Sequence, residues 1–493
     1  MKRKLMYNLY IIKYKGAIRL KIKSVKHNYI IKTLTIASAV LVPLISYPYV
    51  SRVIGPSGIG KVNFANSIVY YFLIIAQLGI PTYGVRTIAK VRDNKEELAR
   101  TSREILILNA VMCAIALILL AASVAAVPQL RQEKTLMFYF SFMIVLNTMS
   151  CEWLYYGLEQ YDFLGLSTIF VRILSAILML TLIKKESDYT LYGLFYVICM
   201  SGYGIINIIN VPRLIGRRPE GKYDIKRHLK PVGIFFAMAI ATTIYTQMDS
   251  AMLGFISGTT ENGYYDAAVK VKTVLVAAVT TLGGVLLPRV SNYLEKGEKK
   301  RFYETSAKAL NFVVELSLPC TVFFILFARG TIMFLSGSEF ENAVLPMKLI
   351  MPSVILVGIT GITGIQMMVP LGYEKTVLRS EIAGAAVNLI INALLIPQMG
   401  ASGAAIGTVA AEAAVLIVQF TAIRDCLKDL LKGVSWIKII LSTALASAAS
   451  LWCENVFLAL IVFFTVYLAA LIVTKETLAR ELMTELKDKI VTK

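Results

Sequence analysis

Apolar residues run along this chain in stretches of about twenty, separated by short segments where charge, Gly or Pro collect. A helix of ~20 apolar residues crosses the ~30 Å hydrocarbon core of a bilayer. Such stretches fall near 28–51, 61–82, 104–127, 135–157, 163–183, 190–211, 231–256, 262–288, 309–335, 346–371, 378–397, 401–423, 436–453 and 455–473. They predict about fourteen transmembrane helices, or twelve or thirteen if the breaks at Pro397–Gly400 and Cys453–Asn455 are discounted. Spanning strands would alternate over ~10 residues rather than stay apolar for twenty. The predicted fold class is an all-α integral membrane protein.

Composition agrees, with 57% hydrophobic and 17% charged residues in 493, far from a soluble balance. The charge matters through its placement. Of the 51 Lys and Arg, 39 lie in the tails 1–27 and 474–493 and in the loops 83–103, 212–230, 289–308, 372–380 and 424–438. The opposite set of loops holds six: Arg52, Lys61, Arg131, Lys134, Lys184 and Lys185. The positive-inside rule then predicts both termini in the cytoplasm. A basic face beside anionic lipid also absorbs most of the net charge of +20, so nucleic acid need not be invoked. The tail 1–27 lacks the short apolar core and small-residue cleavage site of a removable signal.

The stretch "GPSGIGKV" (55–62) looks like a phosphate-binding loop. That loop needs Ser or Thr after the Lys, and a preceding strand. Val62 stands there instead, between two spanning stretches, so the prediction is a Gly/Pro helix–helix turn and no nucleotide. Cys113, Cys151, Cys199, Cys320, Cys426 and Cys453 show no metal-ligand spacing, and His27 and His228 are the only histidines. No metal, cofactor or histidine-based catalysis is expected.

The chain also repeats itself faintly. Gly60 and Ala65 match Gly263 and Ala268 at an offset of 203, and Thr101-Ser102 match Thr305-Ser306 at 204. Two parallel six-helix lobes around a central cleft are predicted, with helices 1–6 over 28–211, a basic linker over 212–230, helices 7–12 over 231–423 and two further helices over 424–473.

The segments "YPYVSRVIGPSGIGKVNFANSI" (47–68), "LGIPTYGVRTIAKVRD" (78–93) and "EWLYYGLEQYDF" (152–163) resemble the polysaccharide (O-antigen type, Wzx-like) flippases of the superfamily that includes the multidrug and toxic compound extrusion transporters. The resemblance implies twelve to fourteen helices in two lobes. It also implies transfer of undecaprenyl-diphosphate-linked oligosaccharide between leaflets of a bacterial cytoplasmic membrane, with H⁺ or Na⁺ and polysaccharide polymerases as candidate partners. The family motif places an aromatic-Pro-aromatic before Arg52, and Gly79-Ile80-Pro81 before Arg86.

Ionisable residues inside spans carry the site prediction, since a charge at mid-bilayer costs at least ~2.5 kcal/mol. Arg172 lies too deep in its span to snorkel; it either lines a cationic cleft or pairs with Glu152. Arg52, Arg86, Lys270 and Lys272 join it as substrate-binding candidates. Lys270 has Asp266 four residues away for pairing, and Lys270 and Lys272 lie near enough to a span end to snorkel. Asp249, Glu152, Glu381 and Glu412 are candidates for a coupling ion or for charge pairs. Lys32, Arg329, Lys348 and Arg379 read as interface anchors. Tyr47, Tyr49, Tyr70, Tyr71, Trp153, Tyr155 and Tyr156 offer rings for sugars or simply for the membrane interface. Pro43, Pro48, Pro81, Pro288, Pro319 and Pro352 offer kinks. The segment 16–26 suits either an anionic lipid surface or a disordered tail, and 474–493 reads as a short solvated helix. The competing functions are a multidrug or cation exporter, a glycan polymerase or glycosyltransferase, and a membrane scaffold.

Overall fold

The computed structural model describes residues 24–216, 219 and 221–476. Almost all of the segment 16–26 and of the tail 474–493 lies outside these. Among the described residues all regular structure is helical. The first third comprises α1 (Val25–Gln77), α2 (Ile80–Val91), α3 (Lys95–Ala126), α4 (Pro128–Gln132), α5 (Lys134–Ser150) and α6 (Glu152–Gly157). Then follow α7 (Tyr161–Leu182), α8 (Tyr189–Ser201), α9 (Tyr203–Ile215), α10 (Lys226–Ile256), α11 (Thr259–Glu295) and α12 (Lys299–Leu326). The chain continues through α13 (Ala328–Ser336), α14 (Val344–Ile350), α15 (Pro352–Thr360) and a π-helix (Gly361–Met368). It closes with α16 (Glu374–Ala422), α17 (Arg424–Lys432), α18 (Trp436–Ser450) and α19 (Val456–Val473).

Eight helical stretches of the described residues are long and apolar enough to cross a membrane, or ten if two bent pairs each count as one span. The fourteen expected are compatible with this. A straight α1 would be ~80 Å long at ~1.5 Å per residue, yet Gly55 interrupts it at φ 66° and ψ 178°, a conformation essentially confined to glycine. Gly400 interrupts α16 in the same way at φ 53°. The helices α10 and α11, of 31 and 37 residues, are also of spanning length.

The motif residues now have physical reasons. Leu78 ends α1 in the left-handed region at φ 45° and Gly79 follows at φ 71°. A Cβ on Gly79 would stand 2.5 Å from the backbone nitrogen of Phe236, and Pro81 starts α2, where a missing N–H costs nothing. The loop expected over 83–103 is thus largely helical, with Asn94 capping α3 through the amides of Glu96 and Glu97.

The repeat is visible in three dimensions. Gly258, 203 residues after Gly55, takes nearly the same dihedrals, φ 91° and ψ 170°. A Cβ on Gly60 would lie 1.6 Å from the Thr259 carbonyl oxygen, and one on Gly263 would lie 1.9 Å from that of Pro56. Those contacts exchange under the same offset, so α1 and α11 meet through a local two-fold relation of backbone against backbone.

The Lys61 amine lies 2.9 Å from Glu133, which also accepts from the Tyr189 hydroxyl at 3.0 Å. Neither wild type nor Lys61→Ala should bind ATP, and Lys61→Ala should lower abundance modestly by leaving a largely buried carboxylate half-compensated. Lys61→Met with Glu133→Gln should recover that abundance in membrane immunoblots. Equal abundance in all three variants would remove the brace.

Candidate functional site

Two polar centres sit inside the bundle. In the second half, Asp249 of α10 is held by three helices. Its Oδ1 accepts from Asn392 Nδ2 at 2.6 Å, and its Oδ2 lies 2.9 Å from Thr408 Oγ1. The Tyr265 hydroxyl of α11 donates to the same carboxylate and lies 2.9 Å from Thr408 Oγ1. Asn392 and Thr408 come from the two arms of α16 on either side of Gly400. Gly407 lets these arms close, because a Cβ there would stand 2.0 Å from Asn392 Oδ1. That oxygen is buried without a hydrogen-bond partner. Above this centre Asn63 donates to Ser250 at 3.1 Å and to Asn262 at 3.3 Å, and Asn262 donates to the Gly60 carbonyl at 3.2 Å. A polar layer therefore underlies the glycine contact between the halves.

In the first half, Glu152 opens α6 behind Cys151, which adopts φ 49°. The Tyr203 hydroxyl donates to its carboxylate. Arg172 does not pair with Glu152. Its Nη1 donates to the Thr35 carbonyl at 2.7 Å and to Ser38 Oγ at 2.8 Å, while its Nε is buried without a partner. Tyr156 and Tyr203 lie within electrostatic reach of both groups, so acid and base share a neighbourhood without touching. Arg172→Ala should therefore destabilise less than a broken buried ion pair, which costs ~3–5 kcal/mol, and Glu152→Gln should not restore it. Recovery of membrane abundance in the double variant would reinstate the pair.

Other expectations are corrected. Arg52 does not enter a cleft; its guanidinium donates to the carbonyls of Pro48 (2.6 Å), Met333 (3.4 Å) and Phe334, capping the negative end of α13. Lys272 lies in electrostatic reach of Glu412 and Asp249. Glu381 is exposed yet within electrostatic reach of Glu412, and its neighbour Ser380 is buried. Lys270 does pair with Asp266, at 3.6 Å, and stands 5.7 Å from the centre of the Tyr47 ring. Trp153 packs on Gly84, and Tyr155 stacks on Phe163 at 5.6 Å and donates to the Asn207 carbonyl; both are core residues rather than open rings.

Arg86 differs from Arg52 and Arg172. It is exposed, has no ion pair or hydrogen bond among the described residues, and stands 6.0 Å from the Phe235 ring centre. Phe235 lines a cavity of about 330 Å³ between α1, α2 and α10, together with Gln77, Gly79 and Thr82.

A further cluster had no sequence-based expectation. Glu104 of α3, wholly buried, accepts from the Asp224 amide (2.8 Å), Arg227 Nε (2.9 Å) and Nη2 (2.6 Å), and meets His228 Nε2 at 2.9 Å. Tyr83 of α2 meets His228 Nδ1 at 2.5 Å. The signal available was an acid opening an apolar stretch opposite a linker holding one of two histidines.

A family model described as "Polysaccharide biosynthesis protein" matches residues 25–294, more than half of the chain. The chain belongs to that family. The chain is 25% identical over 404 residues to a protein of Escherichia coli (strain K12) named "Putative O-antigen transporter", covering 82% of the chain and 97% of the relative. Its fold is similar to that of the lipid II flippase MurJ in an inward closed conformation, with a TM-score of 0.73 and 15% identity over 92% of this chain and all of that one. It is also similar to an inward-facing multidrug resistance MATE family transporter of the MOP superfamily, with a TM-score of 0.63 and 16% identity over 80% and 95%. By name these are transporters and flippases rather than enzymes.

Proposed function

We infer that this protein moves undecaprenyl-diphosphate-linked oligosaccharide units from the cytoplasmic to the outer leaflet of a bacterial cytoplasmic membrane by alternating access. The observation that carries the reading is the sealed, side-chain-free contact of Gly60 and Gly263, which joins repeat-related helices and can part as two rigid surfaces. That symmetry supports a division into lobes 28–211 and 231–423, joined by the linker 212–230 and followed by helices over 424–473. With both termini cytoplasmic, the Gly55 end faces outward and Arg86 faces inward. There its uncompensated guanidinium suits a diphosphate, which a planar donor fork binds in two places, beside a cavity whose apolar wall suits the lipid.

Asp249 supports coupling to H⁺ or Na⁺, because a carboxylate and the free Asn392 oxygen together make a hard-oxygen site. Export of hydrophobic cations would need such acids open to a cleft, and Glu412 is only 8% exposed. Polysaccharide polymerases would act on the delivered product.

Deletion of the gene tests the reading. Surface polysaccharide should disappear and lipid-linked oligosaccharide should accumulate facing the cytoplasm; Arg86→Lys should restore part of the export and Arg86→Ala little. Unchanged surface polysaccharide in the deletion strain would overturn it. For orientation, single cysteines at Ser187 and Ser257 should react with an impermeant thiol reagent in intact cells, and those at Asn94 and Lys222 should not.

A further inference from the structure

The hairpin α16 buries small and polar residues on one side and exposes large apolar ones on the other. In its first arm the buried positions Ser380, Gly384, Asn388, Asn392 and Ile396 recur every four residues, while Ile382, Leu389, Ile390 and Leu394 are exposed. In the second arm Thr408, Glu412 and Gln419 are buried. A spacing of four keeps side chains on one helix face. From 380 to 392 the stripe extends ~18 Å at ~1.5 Å per residue, more than half of the ~30 Å hydrocarbon core.

The two ends are built from different groups. At the Gly400 end, Asn392 and Thr408 hold Asp249. At the far end Thr363 donates to Gln419 Oε1 at 2.5 Å, and Gln419 Nε2 lies 3.4 Å from Ser380 Oγ. Thr363 belongs to the π-helix, a form that recurs at functional sites. Between them Asn388 Oδ1 accepts from Asn392 at 3.2 Å. The charged groups facing Glu412 include Lys272 from α11 and Glu381 from the first arm. One neck narrows the stripe, where a Cβ on Gly384 would stand 2.6 Å from Val415 Cγ2.

Helix-to-helix hydrogen bonding accounts for some polar residues between membrane helices. It does not account for Asn392 Oδ1, buried and unpartnered beside Asp249, since an oxygen that accepts nothing in an apolar medium is costly. We propose that the buried stripe of α16 is the path by which a small monovalent cation, hydronium or Na⁺, reaches Asp249 from the end of the molecule opposite Gly400, with Glu412 as a station and the Gly384–Val415 neck as its constriction. The proposal rests on the coupling role given to Asp249.

The test uses the full chain with its six cysteines replaced by serine and single cysteines returned at Ser380, Asn388 or Leu389. The probe is methanethiosulfonate ethylammonium, a small water-borne cation, applied to membrane vesicles. Cysteines at 380 and 388 should react at least about tenfold faster than the lipid-facing one at 389, a difference worth ~1.4 kcal/mol, and Gly384→Val should slow reaction at 388 but not at 380. Reaction at the rate of 389 in both stripe positions overturns the path. Gln419→Met, which keeps bulk and removes the polar head, should insert normally and raise the Na⁺ or H⁺ concentration for half-maximal export by about tenfold; the ion that shows the rise is the one carried. Lost abundance with an unchanged ion requirement means the stripe only holds helices together, and the path is wrong. Asp249→Asn separates the two claims: if it abolishes ion dependence while the stripe stays unlabelled, coupling stands and the path falls. If export by Asp249→Asn keeps the wild-type ion dependence, the coupling role itself is wrong, and the path loses its destination.

Discussion

Gly60→Ala and Gly263→Ala should each abolish most export while leaving the protein in the membrane at near-normal abundance. The Cβ atoms would lie 1.6 Å from the Thr259 oxygen and 1.9 Å from the Pro56 oxygen, so the helices must part by more than an ångström on either side of the two-fold. Backbone atoms are the obstacle in both cases, and no rotamer change can relieve them. If the contact is the gate that closes one end, holding it ajar stops the cycle without unfolding either half. The double variant should add little to the singles, because the first methyl already separates the surfaces and the two sites are coupled. Gly233→Ala is the control: no atom lies within 4 Å of its Cβ position, and alanine in a helix lowers the entropy of the unfolded chain. Wild-type export by Gly60→Ala, measured as surface polysaccharide per molecule of transporter, would show that the contact does not need to close.

Spans were legible because twenty apolar residues have few other stable arrangements, and the Gly55 turn because Val62 removed the nucleotide alternative. The 203-residue offset predicted which glycines correspond, but not that they would touch. The helix α2 lies largely where the sequence predicts a loop, since twelve mixed residues in a basic segment carry a weaker signal than a span. The break at Cys151 and the π-helix left no trace in composition; a non-glycine at φ 49° and a widened helix turn are set by tertiary packing rather than by local preference.

The site was half legible. Asp249 and Glu412 stood out as charges in apolar runs, but the neutral residues that complete their surroundings, Asn388, Asn392 and Thr408, did not. Their four-residue rhythm with Ser380 and Gly384 was present in the chain and ran against a face of leucine and isoleucine, which marks the buried side of a membrane helix in polar rather than apolar letters. Of the two settings the sequence allows for Arg172, the structure contradicts the pair with Glu152, because Thr35 and Ser38 take the guanidinium instead. A Cβ on Gly165 would stand 2.5 Å from Ile31 Cγ2, so α7 approaches α1 closely enough for a carbonyl and a hydroxyl to receive the guanidinium, a solution no carboxylate search could find.

Glu104→Ala should lower abundance several-fold and markedly reduce the melting temperature of the purified protein. The carboxylate is wholly buried and gathers Arg227, His228 and the Asp224 amide, tying the start of α10 to α3, while His228 brings in Tyr83 of α2. Breaking a buried ion cluster from one side costs ~3–5 kcal/mol. The lower part of that range applies, because Arg227 is 37% exposed and keeps Glu97 at 2.8 Å and Thr101 at 2.9 Å. Most of the penalty then falls on His228, only 1% exposed, whose Nε2 loses its acceptor. Glu104→Gln should be intermediate, since its amide oxygen can still accept while its NH₂ group faces other donors. Adding His228→Phe to Glu104→Ala should return part of the stability by removing the orphaned nitrogen and filling its space with a ring. If the double variant is as unstable as the sum of the singles, the histidine and the glutamate act independently, and the start of α10 is held by its apolar contacts alone.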